Sequence, residues 1–230
     1  ATDVTVGAIT EELNDRVEQI IDYGHLDPQA RLWSWVNTLP LAFWFEGETV
    51  YALAQTMPYL EPELQTRLQA YLRNEAENYL FNPAEYVRER RCIEWEDRTV
   101  HRYPADDDGM IGSCWFADDE NLIGDRLYAM WAYARYTGDW QIIEDNWDFI
   151  LPLFDRFVQA FDPNLGFAVF PRYHLNTWLT LHSQIGGMIA VSHMAVHVGD
   201  TETRNRADAM ADQMFEARLR LGEYVPSLYD

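Results

Sequence analysis

The sequence predicts an all-α fold in which buried and surface helices take turns along the chain. Three observations predict it. Some segments carry apolar residues along one stripe of a 3.6-residue period, and others are apolar nearly all round. Short Gly-Asp turns join buried segments to striped ones, while long aromatic and acidic segments lead back in. A one-sided stripe marks a helix lying on a core, and an all-round apolar helix marks one buried inside it. This layout suits a ring of antiparallel α-hairpins with its working surface gathered at one end.

The striped helices come first. Ile9, Leu13, Val17 and Ile20 fall on one face, with Glu11, Glu12, Asp15 and Glu18 covering the rest. The segment from Glu63 to Tyr79 repeats the style with Leu64, Leu68 and Leu72, and Pro62 suits a helix start, where the first N–H groups lack partners anyway. A third stripe carries Ile143, Trp147, Ile150, Leu151, Phe154, Val158 and Phe161. The fourth runs from Glu202 to Leu219, with Ala207, Met210, Met214 and Phe215 expected inward.

Three uncharged or nearly uncharged segments lie between them. Leu127 to Tyr136 has Arg135 as its one charge, Ile185 to Val198 has two histidines, and Thr49 to Met57 has none. All three are expected to be buried, and none has the roughly 18 uninterrupted apolar residues of a membrane span. Thr137-Gly138-Asp139 and Val198-Gly199-Asp200 each place Gly where a helix should end and Asp where the next should be capped. The two turns make a weak internal repeat of one α-hairpin. Residues 22–45, 80–118 and 162–178 are long returns, too rich in Trp, Tyr and Phe for a disordered chain. Each leads into the N-terminal end of a buried helix, so the three should meet on one face.

A chain of 230 residues that is 48% hydrophobic can bury a sizeable core, and no linker divides it, so residues 1–230 are expected to form a single domain. All 17 basic residues are Arg, and with 38 acidic ones the net charge of -21 argues against nucleic acid or an anionic membrane as partner. The protein is expected to be soluble, with cytoplasmic and secreted locations both open. A lysine-free acidic surface suits high salt, and biased genome composition explains it equally well. Arg88, Arg90, Arg91, Arg98 and Arg102 cluster in the middle return, either paired with nearby acids or forming a site for a ligand carboxylate or sulfate. Cys92 and Cys114 lie in the same return and could be bonded there. No CxxC, HExxH or clustered His/Cys spacing suggests zinc, and the Asp106-Asp107-Asp108-Gly109 run has Pro104 where a calcium loop needs its first ligand.

The segment from Trp115 to Trp140 opens a buried helix with a carboxylate cluster and ends it in a Thr-Gly-Asp turn. Together with the alternation of helices, it resembles the six-hairpin glycosidase superfamily. That resemblance implies an α/α toroid with a carbohydrate cleft at one mouth. It further implies a glycoside hydrolase that needs no cofactor. A closed toroid has twelve helices, and this chain shows seven, so it supplies about half to two-thirds of a ring. Either a second chain or copy completes it, or the arc is open.

In such a ring the mouth is lined by residues that precede or begin the inner helices. Asp118, Asp119 and Glu120 are the catalytic candidates, since glycosidic cleavage takes one protonated and one ionised carboxyl. Crowding and burial of carboxyls raise the pKa of one of them and supply the acid. Substrate contacts are expected from Trp44, Glu46, Trp115, Asp125, Tyr173, His174, Asn176, Trp178 and His182, because flat rings suit pyranose faces and polar groups suit hydroxyls. Structural roles compete at several positions. Asp118 or Asp119 also suits a helix N-cap, and Asp125 on an apolar helix needs a partner. His193 and His197 are either metal ligands or packed, hydrogen-bonded core residues. Arg172, Tyr173, His174 and Asn176 keep a polysaccharide lyase acting on uronates in view, and a non-catalytic α-hairpin scaffold binding protein or glycan is the third reading.

Overall fold

The computed structural model describes residues 6–23, 46–81, 90–93, 100–103, 123–169 and 177–224. These residues are mostly helical, as expected for an all-α chain, and divide between two compact units, Ala1–Asp118 and Asp119–Asp230. The strands described lie in the long returns and none replaces an uncharged helix.

The first unit contains α1 (Val6–Tyr23), α2 (Glu46–Thr56) and α3 (Pro62–Glu75), with a 3-10 turn at Met57–Tyr59 and a π turn at Ala76–Leu80. Both α1 and α2 pack on α3. Val17 and Ile20 of α1, Val50, Leu53 and Ala54 of α2, and Leu64, Leu68 and Leu72 of α3 are buried. Asn14 accepts a hydrogen bond from the Glu61 N–H at 3.1 Å, while Arg67 donates to Glu18 and, at 2.6 Å, to Asp22. The partners advance together along both helices, so α1 and α3 run parallel. Two expectations change here. Ile9 is exposed, beyond the end of the buried stripe, and α2 buries one side rather than all of its surface. In the middle return, β1 (Arg90–Ile93) pairs antiparallel with β2 (Val100–Tyr103), Cys92 opposite His101.

The second unit contains two α-hairpins. In the first, α4 (Ile123–Thr137) turns at Gly138 into α5 (Gln141–Asp145) and α6 (Trp147–Ala160). In the second, α7 (Thr177–Val198) turns at Gly199 into α8 (Thr201–Tyr224). Between them, β3 (Phe161–Asp162) and β4 (Phe167–Ala168) form a small hairpin. Gly138 and Gly199 have φ of 78° and 80°, the left-handed conformation that ends a helix cheaply with glycine. Asp200 caps α8 by accepting the Thr203 N–H at 3.0 Å and the Thr203 hydroxyl at 2.8 Å. Asp139 does not do the same. Its carboxylate accepts the Tyr133 hydroxyl at 2.7 Å, and Trp140 stands at the N-cap without a side-chain bond.

The third stripe is interrupted at Asn146, whose side-chain amide donates back to the Ile142 carbonyl at 2.8 Å, an alternative to helical bonding that Asn readily takes. Phe161 accordingly lies in β3. In α8 the buried stripe is Thr203, Ala207, Met210, Met214 and Ala217, at alternating steps of four and three, whereas Phe215 is 55% exposed, contrary to expectation. The α7 helix is also exposed along one side, with Ile189 at 43% and Val196 at 54%.

The two hairpins lie side by side in the same sense. Ser183 and Gly187 of α7 meet Gly124, Gly186 meets Tyr128, His193 stacks on Trp131, and His197 stacks on Trp140. Positions rise together, so α4 and α7 are parallel. On the other layer, the Trp147 indole donates to Asp200 at 3.4 Å and Arg206 donates to Asp155 at 3.1 Å, so α6 and α8 are parallel too.

Candidate functional site

Asp125 lies in the first turn of α4, on a helix whose other residues there are buried: Ile123, Gly124, Arg126 and Leu127. Its position follows from how closely α4 approaches α7. A Cβ at Gly124 would stand 2.6 Å from the Ser183 carbonyl oxygen, and one at Gly187 would stand 2.8 Å from Gly124 Cα. Glycine on both helices therefore permits backbone contact. That contact seats the Asp125 carboxyl on Ser183 of α7, which hydrogen-bonds to it. Burial pushes the Asp125 pKa up to about 6, and the Ser183 bond, which favours the ionised form, pulls the other way. The carboxyl can therefore carry a proton in mildly acidic water, the property needed of a general acid.

One turn along α4 come Tyr128 and Trp131, their rings 5.4 Å apart and tilted by 50°. Burial, with Tyr136 nearby, raises the Tyr128 pKa. Residues three and four apart share a helix side, so Asp125, Tyr128, Trp131 and Arg135 form one edge of α4. Arg126 points elsewhere, its guanidinium lying 5.0 Å from the centre of the Phe149 ring.

On α7, the exposed His182 accepts a hydrogen bond from Arg218 of α8 at 3.2 Å, so Nε2 presents its lone pair there. The next buried polar residue, Gln184, pairs twice with the Ala168 backbone, at 3.0 and 3.1 Å. It ties β4, the start of the last return, to the N-terminal half of α7.

Of the residues expected at the site, Asp125 and His182 are described, both in the N-terminal portions of the two parallel helices. Glu46 and Trp178 begin α2 and α7, but their side chains lie outside the described residues, as do Asp118, Asp119, Glu120, Trp44, Trp115, Tyr173, His174 and Asn176. Cys114, Arg88 and Arg98 lie outside them as well, and of Arg90, Arg91 and Arg102 the strand backbone alone is described.

His193 and His197 are exposed rather than core residues, and each lies against a tryptophan. His193 stacks on Trp131 at 5.4 Å, while His197 stacks on Trp140 at 4.5 Å and hydrogen-bonds to Glu144 at 2.9 Å. Among the described residues no group of three or more His, Cys, Asp or Glu could hold a metal ion. None of the described helices is long and apolar enough to cross a membrane.

Sequence reasoning missed Ser183 and Tyr128, and it expected Trp131 to be buried where it is half-buried. The available signal was Gly124 together with Gly186-Gly187, glycines inside helical segments where only a close approach justifies their cost. No family model matches the chain, and comparisons with curated proteins and with solved structures find nothing similar to it.

Proposed function

We propose that this chain is a carbohydrate-active enzyme of the α/α-toroid type, a glycoside hydrolase using carboxyl acid/base chemistry. The observation that carries the reading is Asp125, a carboxyl seated by a glycine crossing and held near pKa 6, with Tyr128 one turn along the same helix. The parallel stacking of two α-hairpins supports the toroid, since a ring of hairpins needs each inner helix parallel to the next.

In this reading Asp125 protonates the leaving oxygen, and an ionised carboxylate from Asp118, Asp119 or Glu120, in the segment that leads into α4, serves as base or nucleophile. The sugar is an oligo- or polysaccharide, and the ring is completed by a second chain or copy or left as an open arc. Trp115, Trp178 and His182 are the proposed contacts at the mouth.

The test is single replacement of Asp119→Asn, Glu120→Gln and Asp125→Asn, with hydrolysis of glycans measured beside thermal unfolding. Turnover should fall by about a hundredfold or more where the replaced carboxyl acts in proton transfer, with the folded state retained. Full activity in all three variants would remove the assignment. Release of an ultraviolet-absorbing 4,5-unsaturated uronate would turn the reading to a lyase, the alternative that the Arg218–His182 contact favours by placing a cation beside a candidate base.

A further inference from the structure

Ser183 is held in place by two contacts, and neither uses its own side chain. Where α4 crosses it, a Cβ at Gly124 would stand 2.6 Å from the Ser183 carbonyl oxygen, 2.7 Å from its carbon and 2.9 Å from the Gln184 nitrogen. The next residue, Gln184, is 1% exposed and exchanges two hydrogen bonds with the Ala168 backbone, at 3.0 and 3.1 Å. The hydroxyl that bonds to the Asp125 carboxyl therefore stands on a fixed backbone.

The charged and titratable groups nearby on the packed helices have other engagements. The Arg126 guanidinium lies 5.0 Å from the centre of the Phe149 ring, and the Tyr128 ring lies 5.4 Å from that of Trp131. His182, beside Ser183 on α7, bonds to Arg218 of α8. Among the described residues, burial and the Ser183 bond are what act on Asp125, and they oppose each other. Both residues are half-buried, so the carboxyl is not sealed from water.

We propose that Ser183 is a positioning residue for Asp125: its hydroxyl binds one carboxyl oxygen and so presents the other, with its proton, to the leaving oxygen of a glycoside. This rests on the hydrolase reading above and adds a residue to it. In the step, the Asp125 proton passes to the glycosidic oxygen, which keeps the electron pair of the breaking carbon–oxygen bond. The anomeric carbon is taken up by the second carboxylate, or by water that it activates. A hydroxyl donates more strongly to a carboxylate than to a carboxylic acid, so the Ser183 bond tightens as the proton leaves. An interaction that grows along the reaction lowers its barrier.

The test is Ser183→Ala, which removes the hydroxyl and leaves both backbone contacts. The Asp125 carboxyl carbon is followed against pH by NMR, its resonance assigned by its loss in Asp125→Asn. Without its donor the ionised form is less favoured, so the titration should move to higher pH, and the alkaline decline of kcat should move with it. At about pH 5, kcat should fall about tenfold, the loss of one hydrogen bond to a charged group, with KM kept. Ser183→Thr keeps the hydroxyl and should titrate with the wild type. A Ser183→Ala titration that coincides with the wild-type one would overturn the positioning role and leave the hydrolase reading standing, as would an unchanged kcat on a cleaved glycan. Equal displacement by Ala and Thr would assign the effect to packing and overturn the role too. A displaced titration in a protein that cleaves no glycan would remove the hydrolase reading, and the role with it.

Discussion

Asp125 shows what one buried carboxyl does to the protein around it. Its pKa in the folded chain, about 6, stands above the ordinary 3.8, so the native state holds a proton that the unfolded chain has released. The favourable contribution is complete below the unfolded value and is lost as pH rises through the folded one. Stability should therefore fall between about pH 4 and pH 6 by roughly 3 kcal/mol on account of this residue. Asp125→Asn should flatten that fall and raise the urea midpoint at neutral pH, and a midpoint that still drops by the same amount would assign the effect elsewhere. Asp125 was legible in sequence because a lone acid on an apolar helix is costly without a partner. Ser183 was not legible, since its contact joins residues far apart in sequence through a helix crossing. Trp131 was expected to be buried with the rest of Leu127 to Tyr136 and is only partly so, because an apolar segment does not say which of its sides meets water.

The helices carry their own tests. At Gly124 and Gly187 an added methyl would run into backbone, which cannot rotate aside, so Gly124→Ala and Gly187→Ala should each cost about 2 kcal/mol or more by urea denaturation. Gly186→Ala has room, and the better helix former should leave stability unchanged or raise it by up to about 1 kcal/mol. Unchanged stability in Gly124→Ala and Gly187→Ala would mean that the α4–α7 contact is looser than described. The two Gly-Asp turns divide in the same manner. Asp200→Ala removes a cap and should cost about 1 kcal/mol, while Asp139→Ala should cost about 1 kcal/mol for a different reason, the lost acceptor of the buried Tyr133 hydroxyl. The glycine half of that repeat was fully legible, because φ near 80° excludes most other residues. The aspartate half was legible only at Asp200, since a carboxylate near a helix start can choose another donor, and Asp139 chooses Tyr133.

At the scale of the whole molecule, the mostly helical character was readable because helical periodicity is repeated over many residues, where single errors average out. What failed was the assumption that an uncharged helix is buried all round: α7 shows Ile189 and Val196 to solvent. The charge of -21 has a general consequence that no single pair controls. Exposed ion pairs such as Arg16–Glu12 and Arg73–Glu77 contribute little, whereas repulsion across the surface is long-ranged at low salt. Raising sodium chloride from about 10 mM to about 500 mM shortens the screening length from roughly 30 Å to a few Å and should raise the unfolding temperature by several degrees. An unchanged or lower temperature would mean that attractive pairs dominate.

Cleavage of a glycan by the Asp125 side of the paired hairpins is the property to measure. Incubating the wild-type protein with a broad panel of neutral and acidic polysaccharides, and assaying for new reducing ends and for unsaturated products, addresses this most directly. Hydrolysis predicts reducing ends from at least one neutral glycan, without ultraviolet absorbance, and with a rate that declines above about pH 6 as Asp125 loses its proton. A panel left wholly intact across that pH range would contradict it.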